Sequence, residues 1–306
     1  MTSLYASRMA IKELKRQEWI SKRGIVEKSP KDGDTGLEKI LLTSEDGESR
    51  AVIYPFGALV AEYESSSGKI VTCRPDAKFD GSKPISGGIS LCWPQFGPGE
   101  EDTNNNIQQH GFARNLVWNV VSESNTKVVM ELVGGEATKE FWETTDFTAS
   151  VSISLTDSDL SATLKILNTG STEAFNHQAA FHSYFSVGDI EKISIQGSFE
   201  GAEFVDKMDG GVKKSEERSA IAISEAYDRI YPGVTDPTIV DTTANQKITI
   251  SNSGGWADTV LWNPFGEESM GFKNFVCVES AMLANKELSA GEEWSATTVL
   301  KGEMIL

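Results

Sequence analysis

After residue 115 the chain is dominated by segments in which apolar and polar residues alternate. In FTASVSISL (147–155) every odd position is apolar and every even position is Ser or Thr, and LSATLKIL (160–167) repeats the pattern. Successive side chains of a strand point to opposite faces, so this period predicts antiparallel strands with one wet face. Further candidate strands are KVVMELV, KISIQGSF, KITIS, DTVLW, FVCVES and WSATTVL, separated by turn sequences such as TDSD, NTGS and SAGEE.

Helix signals are few and lie near Met9–Glu18 and Ala137–Trp142. Strands do not alternate with helices, so a parallel α/β architecture is not indicated. The sequence therefore predicts an all-β fold, a large antiparallel β-sandwich with few short helices. No repeat or linker divides it, and we expect one domain over residues 25–306 after an N-terminal tail or short helix at 1–24.

Charge and cysteine content limit the partners and the compartment. With 45 acidic residues against 28 Lys plus Arg, the formal charge is −17, which disfavours nucleic acid. No run of 18 apolar residues exists, so no membrane span is expected. Cys73, Cys92 and Cys277 are far apart and odd in number, which indicates reduced thiols in the cytoplasm. The first twelve residues carry Arg8 and Lys12 but no acid, so a plastid transit segment is the alternative.

Common cofactor and metal signatures are missing. There is no phosphate-binding loop of the G-x-x-x-x-G-K-[ST] type, no strand followed by G-x-G-x-x-G and no G-x-S-x-G. His177 and His182 are five residues apart, which separates their faces on a strand or a helix. Without C-x-x-C or H-E-x-x-H, we expect neither a metal nor another cofactor.

Two apolar strands carry polar residues suited to acid–base chemistry. In AAFHSYFSV, His182 and Tyr184 lie on the face opposite Phe181 and Phe185. In FVCVES, Glu279 is predicted at the end of an apolar strand, where desolvation raises a carboxyl pKa and makes a better base near neutral pH. The structural alternatives are a hydrogen-bonded histidine at the edge of the core and a glutamate that faces water.

Five sequence blocks in a fixed order resemble one enzyme family. KPISGGISLCWPQFGPG, QQHGFARNLVW, NHQAAFHSYFSVGDI, AYDRIY and VCVESA are similar to blocks of the glucose-6-phosphate 1-epimerases (hexose-6-phosphate mutarotases) of the aldose 1-epimerase superfamily. The likeness runs from about Val52 to Leu300. It implies the galactose mutarotase-like supersandwich fold. It also implies an isomerase that acts on a small sugar phosphate, and we expect a monomer.

The resemblance also implies roles for individual residues. The proposed acid is His182 and the proposed base is Glu279, while Gln109, His110, Arg114 and Asp228 contact the sugar or its phosphate. Many family members have R-G-G-I-P where this chain has Ser86-Gly87-Gly88-Ile89-Ser90, and that arginine binds phosphate. Ser86, Arg74 and Lys83 are therefore the candidate phosphate contacts in this chain.

The implied reaction is the interconversion of α and β anomers by ring opening. A base removes the proton of the C1 hydroxyl while an acid protonates the ring oxygen, and we expect the two on opposite sides of the reacting centre. Arg114, in the turn QQHGFARN, supplies a cation for a dianionic substrate in an acidic protein. Two alternatives stay open: a mutarotase for unphosphorylated hexoses, which Ser86 favours, and a sugar-binding module without turnover.

Overall fold

The computed structural model describes residues 36–98 and 108–305. In these residues twenty antiparallel strands form two sheets. The predicted tail at 1–24 and the helix near Met9–Glu18 lie outside the described residues. No helix in the described ranges is long and apolar enough to cross a bilayer.

Most of the described elements are short strands. In chain order they are β1 (Ile40–Thr43), β2 (Arg50–Tyr54), β3 (Leu59–Ser65), β4 (Gly68–Val71), β5 (Ile89–Cys92), β6 (Asn119–Glu123), β7 (Lys127–Val133), β8 (Phe147–Leu155), β9 (Asp159–Asn168), β10 (Phe175–Ser186), β11 (Ile193–Gln196), β12 (Glu203–Asp206), β13 (Val212–Ser215), β14 (Ala220–Ile221), β15 (Tyr227–Pro232), β16 (Thr238–Asp241), β17 (Gln246–Gly254), β18 (Asp258–Asn263), β19 (Phe275–Leu288) and β20 (Glu293–Met304). One α-helix, α1 (Glu136–Lys139), and the 3-10 helices Ala113–Asn115, Ile190–Lys192, Lys207–Asp209, Glu268–Met270 and Phe272–Asn274 complete the described elements.

The two sheets pack face to face around one apolar core. The first sheet has eleven strands in the order β1-β2-β3-β4-β10-β19-β18-β15-β12-β13, with β5 paired to β10 and β3. The second has nine, in the order β14-β11-β16-β17-β20-β9-β8-β7-β6. Buried side chains of both sheets, among them Phe181 and Phe185 from the first and Val151 and Leu164 from the second, belong to one cluster. The all-β sandwich predicted from the sequence is confirmed.

Alternation sets which face of each strand enters the core. In β8 each odd residue is buried and each even one is only partly so, as FTASVSISL predicts. The helix predicted near Ala137–Trp142 is shorter than expected, because it starts at Glu136 and ends at Lys139. The chain leaves the helix there, and Trp142 packs edge-on against Trp93 in the core.

Candidate active site

Strand register brings His182 and Glu279 together on the face of the first sheet that points away from the core. β10 and β19 are antiparallel neighbours in which Phe181 pairs with Ser280 and Tyr184 with Cys277. Both pairs share one register, so residue 182 lies opposite residue 279. Directly opposite residues of neighbouring strands project side by side from the same face. The Nε2 atom of His182 is accordingly 3.4 Å from Oε1 of Glu279.

Glu279 does not end its strand, and the sequence-based prediction is wrong on this point. β19 continues to Leu288 because it is hydrogen-bonded on both sides, to β10 and to β18. The residue is therefore only 2% exposed, which rules out a glutamate facing water. Burial, and then the nearby Asp228 carboxylate, raise the pKa of Glu279 well above its ordinary value.

His182 lies in an aromatic surround that desolvates its ring. Tyr184 stacks on it with ring centroids 4.9 Å apart, and Trp262 and His110 approach edge-on at 5.8 and 5.7 Å. Burial, then the neighbouring His110 and Arg114, lower the pKa of His182 well below its ordinary value. The two side chains extend from adjacent strands, lie 3.4 Å apart and face the same cavity.

The QQHGFARN segment is fixed beside this pair by close backbone packing. Gly111 bridges to Trp93, and a Cβ on Gly111 would lie only 2.0 Å from the Trp93 carbonyl oxygen, so no larger residue fits. His110 has a positive φ of 64° and accepts a hydrogen bond at Nδ1 from the Gly97 N–H, 3.2 Å away. In its neutral form the ring proton is thus on Nε2. Burial, and then Arg114, lower its pKa to about 3.

All nine candidate site residues from the sequence line one cavity of about 370 Å³: Arg74, Lys83, Ser86, Gln109, His110, Arg114, His182, Asp228 and Glu279. Among the described residues, four cationic side chains border it (Arg74, Lys83, Arg114 and Lys207) against the two carboxyl groups of Asp228 and Glu279. In a chain with formal charge −17, this balance marks a place suited to an anion.

The candidate phosphate contacts differ in how free they are. Arg74 lies directly beside Ser86, since its N–H donates to the Ser86 carbonyl at 3.0 Å, but its guanidinium already binds Asp76 through two hydrogen bonds of 2.9 and 2.6 Å. Lys83 is exposed at the rim. Arg114 donates from Nη2 to the Gln109 carbonyl at 2.8 Å, and within 36–98 and 108–305 it has no carboxylate partner.

Among the residues of the cavity wall that sequence reasoning missed are Lys207 and Trp262. Lys207 follows β12 in a segment, MDGG and its neighbours, whose sequence signals only a turn. Trp262 falls in the predicted strand DTVLW, where its register with Cys277 places it next to the His182–Glu279 pair. The only sequence signal for Trp262 was a large aromatic residue in a strand whose apolar and polar residues do not strictly alternate.

His177 lies elsewhere, as the five-residue spacing predicted. Its ring packs edge-on against Trp294 of the second sheet at 5.2 Å, and burial lowers its pKa to about 4. In the described part of the chain, no group of three or more His, Cys, Asp or Glu side chains is placed to hold a metal ion.

Known proteins resemble this chain over most of its length. The family model described as aldose 1-epimerase matches residues 38–301. Proteins of Cenchrus ciliaris and Escherichia coli (strain K12), both named "Putative glucose-6-phosphate 1-epimerase", are 28% identical over 287 residues and 32% identical over 215 residues. These alignments cover 87% and 66% of this chain, and 85% and 69% of the two relatives.

Solved structures confirm the fold. A "putative mutarotase" from Salmonella typhimurium superposes with a TM-score of 0.76 at 24% identity, over 88% of this chain and 91% of that one. A galactose mutarotase related enzyme from Lactobacillus acidophilus gives 0.73 at 14% identity, over 88% and 98%. Fold and family model agree, and the protein is an isomerase that belongs to the aldose 1-epimerase family.

Proposed function

We propose that the protein interconverts the α and β anomers of a hexose 6-phosphate, with glucose 6-phosphate the best candidate, and that it needs no cofactor. The observation that carries the proposal is the buried contact of 3.4 Å between His182 and Glu279 at a cavity bordered by four cationic side chains. The names of the curated relatives point to the same substrate.

The adjacent acid and base suit the two oxygens that react. The C1 hydroxyl and the ring oxygen are both bonded to C1, so neighbouring groups can reach both. Glu279 as carboxylate takes the C1 hydroxyl proton while the imidazolium of His182 protonates the ring oxygen, and the C1–O5 bond breaks to give the open-chain aldehyde. Rotation about C1–C2 and reversal of both transfers give the other anomer. Positioned acid–base catalysis of this kind contributes about 10²–10⁴-fold.

The pair must hold one proton for this exchange. Burial lowers the pKa of His182 and raises that of Glu279, so adding a second proton or removing the only one is unfavourable over a wide pH range. With one proton on the pair, either the neutral form or the carboxylate–imidazolium form is available without gain or loss of protons from water. The two apparent pKa values belong to the pair as a unit.

A bell-shaped pH profile follows for kcat at saturating substrate. Activity falls as pH drops through the lowered pKa of His182, below 6.5, because a second proton removes the base. Activity also falls as pH rises through the raised pKa of Glu279, well above 4.5, because the pair then lacks an acid. Steady-state kinetics across the pH range in which the protein stays folded check this, and a kcat that increases at either end of that range would contradict a shared proton.

Arg114 is the preferred phosphate ligand. Its planar guanidinium can donate two parallel hydrogen bonds to phosphate oxygens, and no carboxylate of the described ranges neutralises it. Ser86 lines the same cavity but carries no charge, while Arg74 would have to share its guanidinium with Asp76.

A mutarotase for unphosphorylated hexoses is the second candidate, because Arg74 is already paired and Ser86 carries no charge. Anomer-exchange rates for glucose 6-phosphate and glucose, measured by NMR at equal concentration, separate the two. We expect the phosphorylated sugar to be preferred by at least about 10-fold, the effect of one charge-assisted hydrogen bond. Equal efficiencies would favour the second candidate, and no acceleration of either would refute both.

A further inference from the structure

Lys207 has no role in the chemistry described so far, yet its ammonium group borders the sugar cavity. Its Nζ is 4.0 Å from Oδ1 of Asp228 and 5.1 Å from the centre of the Phe96 ring. Both charged side chains are partly open to the cavity, with 36% of Lys207 and 28% of Asp228 exposed. Within the described ranges, Asp228 is the carboxylate that pairs with Lys207.

The position of this pair is fixed from below by Asp206. The carboxylate of Asp206 is 4% exposed and accepts a hydrogen bond from the Met208 N–H at 3.1 Å, which sets the start of the 3-10 helix that carries Lys207. It also accepts one from Nε of Arg229 at 3.2 Å, next to Asp228 on β15. One buried carboxylate thus binds the backbone of the residue after Lys207 and the side chain of the residue after Asp228.

The separation of 4.0 Å is too long for a direct hydrogen bond. Both groups are therefore left with hydrogen-bonding capacity that faces the cavity. The carboxylate of Asp228 can accept an O–H, and the ammonium of Lys207 can donate to an oxygen. Two adjacent hydroxyls of a sugar ring offer one donor and one acceptor at neighbouring positions, which matches this pair.

We propose that Lys207 and Asp228 together clamp two neighbouring hydroxyls of the sugar ring, so that Lys207 is a specificity-determining residue. This rests on the proposed function. A hydroxyl pair fits better than a phosphate at this position, because the Asp228 carboxylate would repel a dianion at this end of the cavity. The phosphate is left to Arg114, whose guanidinium forms no ion pair with a carboxylate of the described ranges.

The test compares glucose 6-phosphate with its 2-deoxy, 3-deoxy and 4-deoxy analogues in wild type and Lys207→Met. Methionine keeps most of the apolar stem and removes the donor. We expect KM for glucose 6-phosphate to rise about 10-fold, the effect of one charge-assisted hydrogen bond, with kcat changed less than about 3-fold. One deoxy analogue should bind wild type more weakly than glucose 6-phosphate does. The same analogue should bind Lys207→Met no more weakly than glucose 6-phosphate does.

Two further variants serve as controls. Lys207→Arg should restore much of the affinity, since it keeps a cationic donor. Lys213→Met removes an exposed lysine that pairs with Glu203 on the same hairpin and should leave KM unchanged. If removal of each hydroxyl lowers the affinity by the same factor in wild type and in Lys207→Met, the clamp is overturned. The clamp would also be overturned if Lys207→Met weakened the binding of glucose 6-phosphate but not the binding of glucose, measured as a competitive inhibitor. Lys207 would then bind the phosphate. Absence of turnover in wild type refutes the proposed function instead.

Discussion

Replacing Glu279 by glutamine is expected to lower kcat by about 10²–10⁴-fold while the fold is kept. The change removes the base at nearly constant shape. The side chain is 2% exposed, and its Oε2 has no hydrogen-bond partner in the described part of the chain, so a neutral amide replaces a carboxyl whose charged form burial already disfavours. Thermal unfolding should therefore show no loss of stability beyond about 1 kcal/mol.

The matched control is Glu287→Gln, on the same strand but exposed. It removes an equal charge away from the cavity and should leave kcat and the melting temperature unchanged. If Glu279→Gln keeps the melting temperature and still turns over within about 10-fold of wild type, below the range expected for a positioned base, Glu279 is not the base. Loss of activity together with loss of the fold would be resolved by Glu279→Asp, which keeps the acid group and should retain partial activity.

Replacing Arg114 by methionine is expected to weaken the binding of glucose 6-phosphate by about 10- to 150-fold and the binding of glucose by much less. The figure is the effect of one charge-assisted hydrogen bond to phosphate. Methionine retains the apolar contacts of the arginine stem, so the loss reports the guanidinium. Competitive inhibition constants for the two sugars, or KM values where turnover permits, give the ratio. Added salt should weaken the binding of only the phosphorylated sugar to wild type, because it partly screens the attraction between the guanidinium and the phosphate.

Arg50→Met serves as the control, since Arg50 is an exposed arginine paired with Glu64 outside the cavity. This variant should leave the affinity for both sugars unchanged. If Arg114→Met lowers the affinity for both sugars equally, the phosphate assignment is wrong. Ser86 then marks a change of specificity, and the mutarotase for unphosphorylated hexoses becomes the better account.

Strand pattern was predictable from the sequence because it is local. Alternation in FTASVSISL depends only on which face of the strand is buried, and β8 has the predicted bounds. The faces of β10 and β19 were also predictable: Phe181, Phe185 and Val278 point to the core, whereas Tyr184 belongs to a separate cluster on the other face. The extent of β19 was not, because hydrogen bonds to β18 and to β10, which is far away in sequence, continue the strand past Glu279.

The contact between acid and base needed the register of two strands far apart in sequence. Nothing near His182 or Glu279 encodes that they lie opposite each other, so their distance of 3.4 Å could not be predicted from the sequence. The cavity residues found from the motifs were His, Arg, Asp and Glu within recognisable blocks. Lys207 was missed because the helix cap of Asp206, and not a motif, directs it towards Asp228.

The most direct test of the account is the rate of exchange between the α and β anomers of glucose 6-phosphate at equilibrium. Selective-inversion NMR measures it with wild-type protein in EDTA and with no added cofactor. The account predicts exchange in proportion to enzyme concentration, far above the buffer rate, and slower by about 10²–10⁴-fold in Glu279→Gln. Exchange that stays at the buffer rate, or that appears only after a divalent ion is added back, would contradict it.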